Sequence, residues 1–278
     1  MRFKKIRKIY RILFPLQLTE KEKFVNRLVS NSMVEIVEQE VENCYEVKLK
    51  NKLELYVRDE NHSDYSVFQQ IFNFEEYKTV LSLLKLNKIE ESSVLIDCGA
   101  NVGYTTVYFS QKFTFDKIFC IEPSFSNIEV LKRNIVKLEN ADRIDVMHRA
   151  LSGNINESFD LKSDFRDGLD WSFSTELNKN GNIKGVTINE LVVQNNLKSI
   201  TLLKIDIEGA ERYIFKDNVD LSFLSITKVI AIEIHDEFQI REEIYSILKE
   251  YDFILFETGE LTIGFNRVLT DSNDNNII

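Results

Sequence analysis

The sequence is poor in the residues that loop-rich, crosslinked and membrane-spanning chains require. Two prolines and nine glycines in 278 residues exclude collagen-like and low-complexity architectures. Three cysteines, Cys44, Cys98 and Cys120, form no CxxC pair and no metal spacing, so neither a disulfide scaffold nor a zinc module is expected. A reducing, cytoplasmic compartment is the default expectation. No stretch approaches the roughly 18 uninterrupted apolar residues of a spanning helix, so an integral membrane protein is not expected. What is present is 44% hydrophobic and 29% charged, enough to bury one large domain or a domain with an appendage.

The formal charge of −10 is unevenly spread. Arg2, Lys4, Lys5, Arg7, Lys8 and Arg11 put six positive charges and no acid into the first eleven residues, which leaves −16 for the rest. An acidic body argues against nucleic acid as the partner, because such binding is dominated by cationic contacts. The basic start is interleaved with Phe3, Ile6, Ile9, Leu13 and Phe14. It reads either as an amphipathic helix on an anionic membrane surface or as a solvated basic terminus. Its apolar run is short, broken by Pro15 and Gln17 and followed by no small-residue cleavage site, so a signal peptide is not expected.

Along the chain, residues 19–43 read as helical. Two alternating segments, Tyr45–Lys50 and Leu53–Arg58, read as a hairpin around Asn51-Lys52. Residues 65–86 read as one helical stretch. From residue 93, apolar strands alternate with helical periods: Val94–Cys98, Lys117–Glu122, Arg143–Arg149, Leu202–Asp206 and Lys228–Ile234. Thr187 and Glu190 make a capping box. Two late strands flank Gly259 and can pair antiparallel. The expected organisation is a basic helical extension (1–44), a hairpin and helical cap (45–92), an α/β domain (93–270) and a disordered tail (271–278). Strand–helix alternation implies a doubly wound, mostly parallel sheet.

Ligands bind such sheets outside the carboxyl ends of the strands. The polar residues at those ends are Asp97, Glu122, Asp206, and Glu233 with His235. The first strand runs into Asp97-Cys98-Gly99-Ala100-Asn101-Val102-Gly103, where the glycines permit a tight turn and a close backbone approach. The GxNxG spacing is not the GxGxxG of a dinucleotide fold, which argues against a nicotinamide-dependent oxidoreductase. Glu122 ends the next strand, where an acid can accept from both ribose hydroxyls. Loop and acid describe a nucleoside site with no phosphate to cradle, for which S-adenosylmethionine (SAM) is the natural candidate.

These segments, with Ile121-Glu122-Pro123, the run Leu203-Lys204-Ile205-Asp206-Ile207-Glu208-Gly209-Ala210-Glu211 and Glu233-x-His235, resemble the FkbM family of SAM-dependent O-methyltransferases. The resemblance covers about residues 45–268. It implies a class I methyltransferase fold, Rossmann-like, with seven strands in the order 3-2-1-4-5-7-6 and an antiparallel strand 7. It implies that the loop carrying Asp97, Gly99, Asn101 and Gly103 holds the methionine end of SAM, and that Glu122 holds the ribose. Adenine would lie near Ala150, Leu151 and Ser152, and Asp206 would face the methyl group and acceptor. Gln70 and Tyr77 would cover the cofactor. The substrate class it implies includes sugars and polyketides, and the product is S-adenosylhomocysteine.

A hydroxyl acceptor needs a base. His235 is the first choice because imidazole titrates near working pH, and Asp206 the second, as base or as orienter of the histidine. The alternative is a histidine satisfied by its neighbours at a strand end. Glu208, Glu233 and Trp171 are the acceptor-side candidates, Trp171 and Phe173 as either sugar-stacking rings or core filling. Asp206, Glu208, Glu233 and His235 can also bind a divalent cation, but methyl transfer does not require one and no metal is expected. Glu208 and Glu211 can simply complement a helix dipole. Lys204 reads as a supporting partner of Asp206, and Cys98 and Cys120 as buried apolar groups. A glycan or glycolipid hydroxyl is the expected acceptor; amine methylation, a small-molecule hydroxyl and a non-catalytic SAM-binding scaffold are the alternatives.

Overall fold

A computed structural model describes residues 18–41, 43–86, 93–162, 174–216 and 218–271. The basic start, Trp171 and Phe173, and the tail beyond residue 271 lie outside the described residues. The chain divides after His62 into two units.

In the first unit Thr19 and Glu22 exchange hydrogen bonds at 3.2 and 2.8 Å. This capping box starts helix α1 (Glu20–Ser30), whose Phe24 and Leu28 are one turn apart and buried. Asn31 is extended and stops the helix. Three antiparallel strands follow in sequential order: β1 (Val34–Val41), β2 (Cys44–Leu49) and β3 (Glu54–Arg58). The hairpin of β2 and β3 is as expected. The helical reading of 19–43 holds only as far as Ser30. Val34, Ile36, Val37 and Val41 are β-branched, fit a pleated surface better than a helix, and gain a ladder with β2.

In the second unit, α2 (Asp64–Phe68) passes into a wide turn over Gln69–Asn73, and α3 (Lys78–Leu86) resumes after it. The single helix expected over 65–86 is therefore broken. Phe74 N–H bonds Gln69 O at 2.9 Å across five residues, and Glu75 takes φ +49. The widened turn lets both Phe68 and Phe72 meet the Tyr104 ring, at centroid distances of 6.3 and 5.9 Å.

Next come β4 (Val94–Cys98), α4 (Tyr104–Lys112), β5 (Lys117–Glu122), α5 (Phe125–Ile135) and β6 (Ile144–His148). A small sheet with no expectation from the sequence follows: β7 (Ala150–Leu151), β8 (Ser158–Lys162), β9 (Ser174–Leu177) and β10 (Ile183–Val186), in the order β7-β10-β8-β9. The chain then forms α6 (Ile188–Gln194), opened by the expected Thr187–Glu190 box, and β11 (Ile200–Ile205). A short α7 (Glu211–Ile214), β12 (Thr227–Glu233), α8 (Arg241–Glu250), β13 (Phe253–Thr258), β14 (Leu261–Asn266) and α9 (Arg267–Asp271) complete it.

The main sheet has seven strands in the order β13-β14-β12-β11-β4-β5-β6. β12, β11, β4, β5 and β6 are mutually parallel, and β14 runs antiparallel to both β12 and β13. Every residue of β4 and β11 is buried, which is why these strands read as continuous apolar runs rather than alternations. Ile96, Ile121, Leu203, Ile205 and Ile232 carry one face of that sheet into the main core.

Candidate active site

The loop after β4 is set by backbone shape. Gly99, Asn101 and Gly103 all take positive φ, at +76, +48 and +85. A Cβ on Gly99 would lie 1.7 Å from the Asp206 carbonyl oxygen, so the ends of β4 and β11 meet backbone to backbone. Asp206 N–H donates to Cys98 O at 3.1 Å there. Gly103 opens α4, and a Cβ on it would press on Leu131 of α5. Asn134 of α5 donates to Val102 O at 2.7 Å and holds the same corner.

Beneath the loop lies a charged triad, with Lys204 and Asp97 buried and Asp206 partly exposed. Lys204 Nζ is 3.3 Å from Asp97 Oδ1 and 3.5 Å from Asp206 Oδ2, and donates to Gly99 O at 2.7 Å. Burial opposes its charge, but the two aspartates override that and hold the ammonium well above its usual range. Asp97 is fully buried and also accepts from Thr106 Oγ1 at 2.7 Å. The structure thus places Asp97 and Gly103 as supports of the loop rather than on a cleft wall.

Two clefts open above this floor. One, of about 550 Å³, is lined by Gly99, Asn101, Glu122, Ala150, Leu151 and Asp206 among others. Glu122 is buried at the end of β5; it accepts from Asn101 N and Ser124 N at 2.8 Å each and from Asn127 Nδ2 at 3.2 Å. Burial pushes its carboxyl up while these donors pull it down, and burial wins. Asn101 Oδ1 is buried with no hydrogen-bond partner among the described residues, which is the mark of an acceptor placed for a ligand donor. Ser152 Oγ donates to Asn154 O and to Glu157 Oε2 at 2.8 and 2.5 Å.

The other cleft, of about 1030 Å³, shares Gly99, Asn101, Asp206 and Glu208 with the first and adds Gln70, Glu76, Tyr77, Glu233 and Glu260. The sequence did not mark Glu76 or Glu260; their only signals were adjacency to Tyr77 and to the Gly259 turn. Burial, then the nearby Asp206 and Glu260 charges, push the Glu76 carboxyl up to about 7.

His235 lines neither of these two clefts. It is 2% exposed and sits among three carboxylates. Nδ1 lies 3.2 Å from Glu211 Oε1, and Nε2 lies 3.3 Å from Glu208 Oε2 and 3.7 Å from Glu233 Oε1. Burial would pull the imidazole down, but hydrogen bonding to Glu208 and Glu211 takes it up to about 11. Glu211 therefore has a partner the sequence did not assign it.

Sheet order, glycine loop and strand-end carboxylates define a class I methyltransferase fold. The chain matches the Methyltransferase FkbM domain over residues 97–255, more than half its length, and belongs to that family. It is similar to the methyltransferase sdnD of Sordaria araneosa, at 23% identity over 189 residues that make up 57% of this chain and 73% of that protein. Among solved structures it resembles the methyltransferase FkbM from Methylobacillus flagellatus KT at 20% identity and TM-score 0.37, covering 73% of this chain and 55% of that one. A methyltransferase from Geobacter sulfurreducens aligns at 13% identity and TM-score 0.38, covering 73% and 88%. No helix among the described residues is long and apolar enough to cross a membrane.

Proposed function

We propose that the protein transfers the methyl group of SAM to a hydroxyl of a sugar in a glycan or glycolipid. The observation that carries this reading is the meeting of the two clefts at Asp206, one walled by Glu122 and Ala150–Leu151, the other by carboxylates. The residues present fit the cofactor: Glu122 offers acceptor oxygens for two ribose hydroxyls, Leu151 an apolar wall for adenine, and Asn101 Oδ1 an unused acceptor for the ammonium tail. SAM supplies an electrophilic methyl on a sulfonium.

The protein's part is alignment and proton handling. Holding acceptor and methyl in line is worth about 7–11 kcal/mol. Asp206 borders both clefts and takes the role of base that His235, outside them, does not. Held by Glu122, Leu151 and Asn101, SAM would supply the methyl group and would keep the carbon–sulfur electron pair on sulfur. Asp206 would take the acceptor proton at its carboxylate. His235 then acts as a positioning residue for Glu208 and Glu233.

A second reading is methylation of an amine. Asp206, Glu208, Glu233, Glu76 and Glu260 face a cleft whose one lining cation among the described residues is Lys204, and such a wall favours a cationic acceptor. The experiment that separates them supplies methyl-tritiated SAM with glycolipid, free-sugar and amino-sugar acceptors. Label recovered as a sugar methyl ether supports the first reading; label on nitrogen supports the second. The basic residues 2–11 support a substrate presented at the cytoplasmic membrane face. Undiminished binding to anionic vesicles after deleting residues 1–14 would remove that part.

A further inference from the structure

The grouping around His235 is more than a strand end needs. Ligand atoms of Asp206, Glu208 and His235 lie within 4.8 Å of one another, on two adjacent parallel strand ends. Donors about 2.1 Å from a common ion stand about 3 Å apart, so the widest pair has to close by up to about 1.8 Å on binding. The imidazole is already oriented for such a task. Glu211 is fully buried and holds Nδ1 at 3.2 Å, which turns Nε2 toward Glu208 and Glu233. A carboxylate on one ring nitrogen is the usual support for a histidine that binds metal through the other. Four carboxylates, Asp206, Glu208, Glu211 and Glu233, share this region with one lysine, Lys204, and one imidazole. Glu208 is held at φ +52, a costly conformation for a glutamate, and this is the backbone that brings its carboxylate to His235.

We infer that Asp206, Glu208 and His235 bind one first-row divalent cation. A mixed carboxylate and imidazole set suits manganese, iron or zinc better than magnesium or calcium, which favour all-oxygen sites. Asp206 and Glu208 also line the larger cleft, so the open positions of the ion face it. If the cleft takes a sugar acceptor, a clause that rests on the function proposed above, the ion holds that acceptor's oxygens and makes the hydroxyl more acidic, with Asp206 using its second oxygen for the proton.

The test uses the full chain, stripped with chelator and titrated with manganese chloride, with free manganese read by electron paramagnetic resonance. One saturable ion per chain is expected, with spin-echo modulation from a bound imidazole nitrogen. His235→Gln and Glu208→Gln each weaken binding about tenfold or more, while Glu250→Gln, at the exposed end of α8, leaves it unchanged. No saturable binding, or binding with no nitrogen modulation in the unaltered protein, overturns the site whether or not a variant folds. Titration of the metal-free protein with S-adenosylhomocysteine is run alongside. Failure there, in a protein that takes up manganese in the parallel titration, overturns the methyl-transfer reading and upholds the cation site.

Discussion

Lys204 Nζ lies 3.3 Å from Asp97 Oδ1, and both side chains are almost entirely out of water. Removing one member of a buried pair leaves the other charge uncompensated, at a cost of about 3–5 kcal/mol. Lys204→Met should therefore lower the free energy of unfolding by that order in urea titration, and adding Asp97→Asn should recover most of it. A single variant as stable as the parent would mean that the pair is not what holds the loop.

The glycines give a contrast. Gly99 and Gly259 both have positive φ, but a Cβ on Gly99 meets Asp206 O at 1.7 Å and one on Gly259 meets nothing within 4 Å. Gly259→Ala should cost only the left-handed strain of about 1–2 kcal/mol. Gly99→Ala adds a backbone collision and should cost clearly more, with loss of the folded baseline at ambient temperature as one form of that result. Equal thermal midpoints would show that the two strand ends do not touch.

Glu76 sets a pH dependence of stability. Its carboxyl sits at about 7 in the folded protein against a usual 4.5. Between those values the folded state keeps a proton that the unfolded state has lost, so stability falls as pH rises through this window. Glu76→Gln removes the titration. The variant should be more stable than the parent near pH 8, with the gap closing by about pH 4, as read by thermal midpoints. A gap independent of pH would contradict the burial of that carboxylate.

Asp206→Asn keeps shape and removes the proton acceptor. Transfer to a hydroxyl should slow by about 10²–10⁴, with a much smaller change in affinity for S-adenosylhomocysteine. A retained rate would favour an amine acceptor, which loses its proton after transfer.

Most of the sheet could be read from the sequence because β4 and β11 are buried on both faces and so are unbroken apolar runs. Glu122 and Asp206 could be read because an acid ending such a strand has few structural reasons to be there. Other features depend on tertiary pairing. β1 exists because Val34–Val41 finds β2, and its solvated Glu35, Glu38 and Glu40 hide the alternation. The small sheet joins Ala150–Leu151 to Ile183–Val186 across more than thirty residues, and no local period marks that pairing. His235 was legible as a residue of interest but not in its setting, since Glu211 meets it from a different element, α7.

Methyl transfer by this protein requires an adenosyl group bound against Glu122. Calorimetric titration with S-adenosylhomocysteine, on the protein and on Glu122→Ala, tests it most directly. Hydrogen bonds to a charged acceptor contribute about 1.5–3 kcal/mol. Saturable one-to-one binding is expected, weakened about 10- to 100-fold in the variant. No binding, or binding equal in both proteins with the variant folded, would contradict it.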